Sequence, residues 1–333
     1  MRVAVLGAGS WGTTFAALSS SRARTVLWAR RADLAAAINR HHRNPDYLTD
    51  AQLPLDLTAT GDIDEAVGEA DLVVLAVPSH GFRAIAGAAA GHIQPGAVIL
   101  SLTKGVEQRT LALMTDIVRE LLPDHPNRQI GVLTGPNLAP EVMAGQPTAS
   151  VAAFEDLEVA RVVQELLMSP SLRVYTNRDV VGCEIAGSVK NVLAIAAGMA
   201  RGLGFGDNTM AALITRSLAE LTRLGVALGG DPRTFAGLAG MGDLIATCIS
   251  PASRNFQVGF GLGRGRKLDQ ITSEMRMIAE GVRSTEAVLA LAARHDVEVP
   301  ISEQVGRVLY QGVAPSEAVL TLMTRAAREE LDH

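Results

Sequence analysis

Short apolar runs alternate with segments of helical spacing through the first half of the chain. Residues 2–6 form the first run. We predict seven more strands, at Thr25–Ala29, Leu57–Thr60, Leu72–Val77, Ala97–Leu102, Ile130–Leu133, Ala149–Ala153 and Arg173–Thr176. Strands that alternate with helices favour a doubly wound sheet. The fold class predicted is therefore α/β, with an N-terminal Rossmann-type sheet over residues 1–177.

The pattern changes after Asn177. Apolar residues then recur at helical spacing through 180–200, 208–228, 282–294 and 315–327. We therefore predict an all-helical C-terminal domain over residues 178–333. A chain of 333 residues has room for two domains.

A glycine motif, Gly7-Ala-Gly9-Ser-Trp-Gly12, directly follows the first strand and precedes a helix. In that setting a GxGxxG motif indicates a dinucleotide whose pyrophosphate rests on the helix N-terminus. Gly7 permits the turn, Gly9 lets the backbone approach phosphate, and Gly12 allows close packing of helix and strand. The alternative is a glycine-rich turn that binds no ligand.

Two arginines follow the second predicted strand. An NAD-selective site would have Asp or Glu there to bind the ribose hydroxyls, whereas this chain has Arg30 and Arg31. Two cations suit a 2′-phosphate, so we expect NADPH to be accepted. In the alternative interpretation, both arginines begin a solvated helix whose cap is Asp33.

Polar residues and tight turns follow three further strands, and ligands of such sheets bind at the carboxyl ends of strands. Pro78-Ser79 follows one strand and Thr103-Lys104-Gly105 follows another. The turn Gly135-Pro-Asn137-Leu-Ala139 follows a third and offers backbone N–H groups.

Lysine is rare in this chain. Lys104, Lys190 and Lys267 are the lysines among 30 basic residues. A group that exchanges a proton has to be an amine, because guanidinium stays charged at biological pH. Lys190 lies on a predicted helix of small residues with no carboxylate three or four positions away. Either it acts on a ligand, or it is a structural lysine that reaches solvent past small neighbours. Lys267 is predicted to lie in an exposed basic turn.

The least regular part of the helical half runs from residue 238 to residue 255. Ser253, Arg254 and Asn255 precede a helical run and could present a hydroxyl, a guanidinium and an amide to an anion. The alternative is an ordinary N-cap with a solvated arginine. Since no local motif holds all the candidate residues, we expect separate parts of the chain to supply the site.

Charge and composition argue against several classes of protein. A formal net charge of −5 argues against a general binder of nucleic acid or anionic membranes. Cys183 and Cys248 lack the spacing of a metal site or a disulfide framework, which fits a cytoplasmic protein. Lys190 and Asn191 interrupt the longest apolar stretch, so we expect no stable membrane insertion.

The chain resembles bacterial-type NAD(P)-dependent glycerol-3-phosphate dehydrogenases over nearly its whole length. Four stretches carry the resemblance: Gly7-Ala-Gly-Ser-Trp-Gly-Thr, Leu133-Thr-Gly-Pro-Asn-Leu-Ala, Val189-Lys-Asn-Val-Leu-Ala-Ile-Ala-Ala-Gly, and Gly240-Met-Gly-Asp-Leu-Ile-Ala-Thr-Cys with Ser253-Arg-Asn. Asn137 stands where many members have Ser, and Phe256 stands where Arg commonly follows. The anion site would then have one cation fewer.

The resemblance implies reversible reduction of dihydroxyacetone phosphate to sn-glycerol 3-phosphate by NADH or NADPH, for phospholipid synthesis. It assigns proton transfer to Lys190. The implied substrate contacts are Lys104, Gly135, Asn137, Lys190, Asp243, Ser253, Arg254 and Asn255. The implied cofactor contacts beyond the glycines are Ser10, Trp11, Arg30, Arg31, Tyr47, Lys104, Ala139, Arg254, Ile278 and Glu280.

Other hypotheses stay open at this point. A related two-domain reductase would act on a β-hydroxy acid or ketopantoate. A non-catalytic protein with the same fold would sense NADPH without turnover. Asp243 and Asn191 are candidates to orient Lys190, and a homodimer through the helical domain is a further hypothesis.

Overall fold

The predicted strands form one eight-stranded sheet in the computed structural model, which describes residues 1–275, 279–327 and 329–330. The strands are β1 (Arg2–Leu6), β2 (Arg24–Trp28), β3 (Thr58–Thr60), β4 (Leu72–Leu75), β5 (Val98–Ser101), β6 (Ile130–Thr134), β7 (Thr148–Phe154) and β8 (Leu172–Asn177). Their order is β3-β2-β1-β4-β5-β6-β7-β8, and only the β6–β7 pair is antiparallel. The predicted fold class is confirmed.

Seven helices connect the strands of this sheet: α1 (Ser10–Ser20), α2 (Ala32–His41), α3 (Ile63–Val67), α4 (Ser79–Ala90), α5 (Met114–Leu121), α6 (Ala139–Met143) and α7 (Leu157–Leu167). Every residue of β4 and β6 is buried. Strands buried on both faces favour continuous apolar runs over an alternating pattern, which is why these strands could be recognised in the sequence. The order of strands reverses between β1 and β4, and this is where such sheets bind ligands.

The chain divides into two compact units. The first comprises Met1–Lys104 and Leu113–Val180, and the second comprises Gly105–Ala112 and the described residues from Val181 onward. The short segment Gly105–Ala112 thus differs from the predicted division at residue 177. Gln108 is one link between this segment and the rest of the second unit, because its Nε2 donates hydrogen bonds to the Arg283 carbonyl and to Glu286.

The described part of the second unit is helical. Its helices are α8 (Val180–Gly202), α9 (Asp207–Ala227), α10 (Pro232–Phe235), α11 (Asp243–Ile249), α12 (Arg254–Gly263), α13 (Leu268–Glu274), α14 (Glu280–Arg294), α15 (Pro300–Gln311) and α16 (Pro315–Met323). By length and composition α8 could cross a membrane, but 94% of its most apolar window is buried within the protein. It has the properties of a core helix.

Helices α8 and α12 approach each other through glycines. A Cβ atom at Gly198 would lie 2.1 Å from the Phe256 carbonyl oxygen, and one at Gly259 would lie 2.0 Å from the Ile195 carbonyl oxygen. Only residues without a side chain allow the two backbones to lie this close. The close approach brings the start of α12 near the middle of α8.

A buried carboxylate links α9 to the start of α15. Glu220, which is 1% exposed, accepts hydrogen bonds from the Ile301 N–H at 2.7 Å, the Ser302 N–H at 3.0 Å and the Ser302 hydroxyl at 2.6 Å. It therefore satisfies donors at the helix N-terminus that have no partner within the helix. Burial raises the pKa of Glu220 from 4.5 to about 7, although these hydrogen bonds lower it.

We expect this carboxylate to make stability depend on pH. The pKa of Glu220 is higher in the folded state, so its contribution is fully present below pH 4.5 and is lost as pH rises to about 7. The loss should be on the order of 1–3 kcal/mol. Urea unfolding across this range should show the decline in the wild type and a much smaller one in Glu220→Gln.

Glu303 provides the matched control, because it is exposed in the first turn of the same helix. Glu303→Gln should keep the wild-type dependence on pH. Parallel curves for Glu220→Gln and the wild type would refute the assignment to Glu220.

Candidate active site

The glycine motif forms a tight turn between β1 and α1. Gly7 has φ 121°, a conformation that side chains rarely allow. A Cβ atom at Gly12 would lie 2.0 Å from the Gly7 carbonyl oxygen, whereas one at Gly9 would have no neighbour within 4 Å. The structure therefore bears out the predicted turn at Gly7 and the close packing at Gly12, and it leaves open space at Gly9.

The start of α1 suits the pyrophosphate of a dinucleotide. The N-cap residue of this helix is Gly9, which has no side chain to cap it. N–H groups at a helix start lack partners within the helix, and the helix dipole favours negative charge there. The Trp11 indole Nε1 is also buried without a hydrogen-bond partner in the described residues. An unused buried donor fits a site that is completed by a ligand.

Arg30 and Arg31 lie at the start of α2, and both are exposed. Arg31 is the N-cap residue, and Asp33 lies in the first turn, so the suggested cap at Asp33 is wrong. Arg31 contacts Asp46 at 2.6 Å and Asp33 at 3.3 Å. Cations at a helix N-terminus oppose the helix dipole. A bound anion would relieve this, which favours the phosphate-binding interpretation.

Lys104 joins two of the predicted strand ends. It lies beyond β5, and its Nζ donates to the Gly135 carbonyl at 3.3 Å and to Asn137 Oδ1 at 3.2 Å. The Asn137 amide donates to Ser150 at 3.4 Å. Gly135, with φ 124°, forms the turn after β6. An ammonium and a turn after β6 are thus held together at the carboxyl ends of β5 and β6.

Lys190 lies in the middle of α8 and is 5% exposed. Its Nζ donates to Asp243 Oδ1 and to Thr247 Oγ1, each at 2.7 Å. The Thr247 hydroxyl donates to the Asp243 carbonyl at 2.6 Å, which leaves its oxygen to accept from Lys190. Asp243 and Thr247 are four residues apart and lie on one face of α11. The snorkelling interpretation is therefore wrong, since the ammonium is held inside the protein.

A second polar cluster lies at the start of α12. Asn255 Nδ2 donates to Asn191 Oδ1 at 2.9 Å, and the Gly281 N–H donates to Asn255 Oδ1 at 2.9 Å. A Cβ atom at Gly281 would lie 2.4 Å from the Asn191 carbonyl oxygen. Ser253 caps α12 through its hydroxyl, which accepts from the Phe256 N–H at 3.3 Å. This cluster joins α8, α12 and α14, and it places Asn255 directly beside the residue that follows Lys190.

Arg254 is the first residue of α12 and keeps contact with solvent. The surrounding protein removes part of the water from its guanidinium and lowers the pKa of Arg254, while the negative charge of Glu280 opposes this. The carboxylate of Glu280 therefore lies close enough to Arg254 to affect its pKa.

Three other predicted cofactor contacts are placed differently. Tyr47 is 38% exposed, and Ala139 is buried at the start of α6. Ile278, a predicted cofactor contact, lies outside the described residues.

Profiles of one protein family cover nearly the whole chain. Residues 2–160 match the N-terminal part of NAD-dependent glycerol-3-phosphate dehydrogenase, and residues 179–320 match its C-terminal part. The chain belongs to this family.

Curated relatives of the glycerol-3-phosphate dehydrogenase family match over more than nine-tenths of this chain. An NAD(P)+-type enzyme of Sphingopyxis alaskensis is 54% identical over 92% of this chain and 91% of its own. One of Thermobifida fusca is 49% identical over 99% of this chain and 98% of its own. The crystal structure of the Coxiella burnetii glycerol-3-phosphate dehydrogenase superposes with a TM-score of 0.93 at 36% identity and covers 97% of this chain and 99% of that one.

Three residues of this candidate site are not marked by any pattern that the sequence analysis used. Thr247 holds Lys190, Gly281 binds Asn255, and buried Asn44 binds the glycine turn. Thr247 had a usable signal, because it lies four residues after Asp243. Asn191 had been considered as an orienter of Lys190, and the structure shows it bound to Asn255.

Cys248, next to Thr247, has no nucleophilic role in this arrangement. Burial raises the pKa of Cys248 to about 12; the positive charge of Lys190 lowers it, and the negative charge of Asp243 raises it further. A thiol with such a pKa stays protonated at neutral pH, so it is chemically inert. Lys267 is exposed before α13, as predicted.

Proposed function

We propose that the protein catalyses the reversible reduction of dihydroxyacetone phosphate to sn-glycerol 3-phosphate, with Lys190 as proton donor. Family membership implies NADH or NADPH as the cofactor. The observation that carries the proposal is the buried Lys190 ammonium, held 2.7 Å from both Asp243 and Thr247. These two hydrogen bonds fix the position of the ammonium, so it can act as a proton donor to a substrate placed beside it.

The bound nicotinamide would supply the hydride. As the ketone carbon gains it, negative charge develops on the ketone oxygen. The Lys190 ammonium stabilises that charge and transfers a proton to the oxygen, which gives the alcohol and a neutral amine. In the reverse direction the neutral amine accepts the hydroxyl proton. Asp243 and Thr247 keep Nζ in place through both directions.

Binding of the two reactants is assigned to different groups. The glycine turn, Trp11 and the two arginines would hold the cofactor, with Lys104 beside its reactive end. Arg254 and Ser253 would hold the substrate phosphate, and Asn255 would position it through its bonds to Asn191 and Gly281. A fixed phosphate orients the ketone for attack.

Mixing the purified protein with NADPH and dihydroxyacetone phosphate tests the proposal. We expect the near-ultraviolet absorbance of the reduced nicotinamide to disappear only with the phosphorylated ketone. A preference for ketopantoate or another keto acid would replace the proposal with the related reductase. Binding of NADPH without turnover of any ketone would indicate a sensor.

The product is a glycerol phosphate, the class of compound from which glycerophospholipids are built. We therefore assign the enzyme a role in phospholipid synthesis. A cytoplasmic location is a separate proposal. Dimerisation through the helical domain stays a prediction, which light scattering on the purified protein would measure.

We expect Arg30 and Arg31 to read the 2′-phosphate of NADPH. An exposed charge pair contributes up to about 1 kcal/mol, so losing both arginines should raise the Kd for NADPH roughly 5- to 30-fold. The double variant Arg30→Ala/Arg31→Ala should therefore bind NADPH far more weakly. NADH lacks the phosphate, so its Kd should change little. Titration of cofactor fluorescence measures both constants.

Arg40 serves as a control for this experiment, because it is exposed at the far end of α2. Arg40→Ala should leave both cofactor affinities unchanged. Equal losses of NADPH and NADH affinity in the double variant would show that the arginines do not distinguish the phosphate.

A further inference from the structure

The segment that follows α2 is tied to the glycine turn by a fully buried asparagine. Asn44 Nδ2 donates to the Ala8 carbonyl at 2.9 Å and to the Thr13 hydroxyl at 2.8 Å. Its Oδ1 accepts from the Asp46 and Tyr47 N–H groups, each at 3.2 Å. Both ends of one amide are thus in use, and they hold the backbone of Asp46 at a set distance from the turn.

A second bond fastens the same segment. The Ser10 hydroxyl, at the start of α1, donates to the Tyr47 carbonyl at 3.0 Å. The backbone on either side of Tyr47 is therefore held against the turn, and Asp46 is positioned by the same framework as the pyrophosphate site. Its carboxylate therefore extends from a backbone whose position is fixed.

The side chain of Asp46 contacts Arg31, one of the two arginines assigned to the 2′-phosphate. Its Oδ2 accepts from the Arg31 guanidinium at 2.6 Å, and 56% of the Arg31 side chain and 37% of the Asp46 side chain are exposed. A carboxylate at this position competes with a 2′-phosphate for the same guanidinium and repels it. NADH carries no phosphate there, so it does not meet this competition.

We infer that Asp46 determines cofactor specificity by restraining Arg31 and opposing the 2′-phosphate of NADPH. This inference rests on the proposed reading of that phosphate by Arg31. Asp46 weakens the binding of NADPH but not that of NADH. The affinities of the two cofactors therefore stay closer together, and both remain usable. Asp33 also contacts Arg31, at 3.3 Å, but it lies in the first turn of α2, where a carboxylate stabilises the helix.

The test compares NADPH and NADH binding to Asp46→Asn, which keeps the shape of the side chain and removes its charge. Exposed ion pairs are weak, so we expect the Kd for NADPH to fall about 2- to 5-fold. The Kd for NADH should change by less than about 2-fold on the same grounds. Thermal unfolding would verify that the variant folds.

Asp50 provides a matched control, since it is an exposed aspartate four residues farther along the chain. Asp50→Asn makes the same change in net charge and should leave the ratio of the two Kd values unchanged. An equal shift in both variants would overturn the inference in favour of a general charge effect.

A double-mutant cycle with Arg31→Ala separates this inference from the proposed function. Because Asp46 acts mainly through Arg31, the effect of Asp46→Asn on the Kd for NADPH should shrink once Arg31 is alanine, and the part that remains is its direct repulsion of the phosphate. If Arg31→Ala selectively weakens NADPH binding but Asp46→Asn changes neither cofactor, the inference is overturned and the proposed function stands. If Arg31→Ala leaves NADPH binding intact, the assumed role of Arg31 fails, and the inference fails with it.

Discussion

Replacing Lys190 by arginine should reduce turnover of dihydroxyacetone phosphate by at least about 10²-fold, the lower end of what general acid catalysis contributes. Arginine keeps the positive charge but does not release a proton at neutral pH. Its larger planar head also has to occupy a space where Nζ now contacts Asp243 and Thr247 at 2.7 Å. Cofactor affinity, measured by fluorescence, should remain.

Lys190→Ala should lose turnover to a similar extent and also lose stability. It leaves Asp243, which is 2% exposed, without the ammonium, and breaking a buried pair in this way costs about 3–5 kcal/mol. Activity must therefore be expressed per folded molecule. The double variant Lys190→Met/Asp243→Asn removes both charges and should fold better while remaining inactive.

Lys267 supplies the control lysine, because it is exposed before α13. Lys267→Arg should keep full activity. A folded and nearly fully active Lys190→Arg enzyme would contradict the proton-donor assignment and shift it to Lys104.

The second large effect is expected for Arg254. Arg254→Ala should reduce kcat/KM for the phosphorylated ketone by about 10- to 150-fold, since a hydrogen bond to a charged group contributes about 1.5–3 kcal/mol. Arg254→Lys should rescue little, because an ammonium cannot reproduce the planar fork of a guanidinium. Steady-state kinetics with dihydroxyacetone phosphate measures both variants.

Arg264 lies just beyond the other end of α12 and is exposed, so Arg264→Ala is the matched control. It should retain the wild-type kcat/KM. Inorganic phosphate should inhibit the wild type competitively and inhibit Arg254→Ala much less. Unchanged kinetics in Arg254→Ala would show that another residue binds the phosphate.

Strands such as β4 and β6 could be predicted because they are buried on both faces and form continuous apolar runs. The direction of β7, antiparallel to β6, could not. A run that is apolar throughout has the same appearance whichever way the strand points, and only the connection between strands decides it. The affiliation of Gly105–Ala112 with the second unit was equally hidden, since contacts such as the two hydrogen bonds of Gln108 form only after folding.

The candidate site was predictable where scarcity or a turn marked a residue, as with Lys190, Lys104 and Gly7. It was not predictable where a residue acts through a distant partner. Thr247 is 57 positions from Lys190, and Asn44 is 36 positions from Ala8. No local pattern records a contact between two elements that come together only after folding. For the same reason the pairing of Asn191 with Asn255 was not expected.

The glycine contact between α8 and α12 bears on how this enzyme can change over evolution. The spacing between the helix of Lys190 and the helix of Arg254 is set where Gly198 and Gly259 meet backbone atoms, so no side chain there acts as a spacer. A single added methyl group at Gly198 or Gly259 would push the two helices apart, because the nearest atoms across the contact belong to the backbone, which cannot be shortened by mutation. Variation should accordingly be narrow at these two positions.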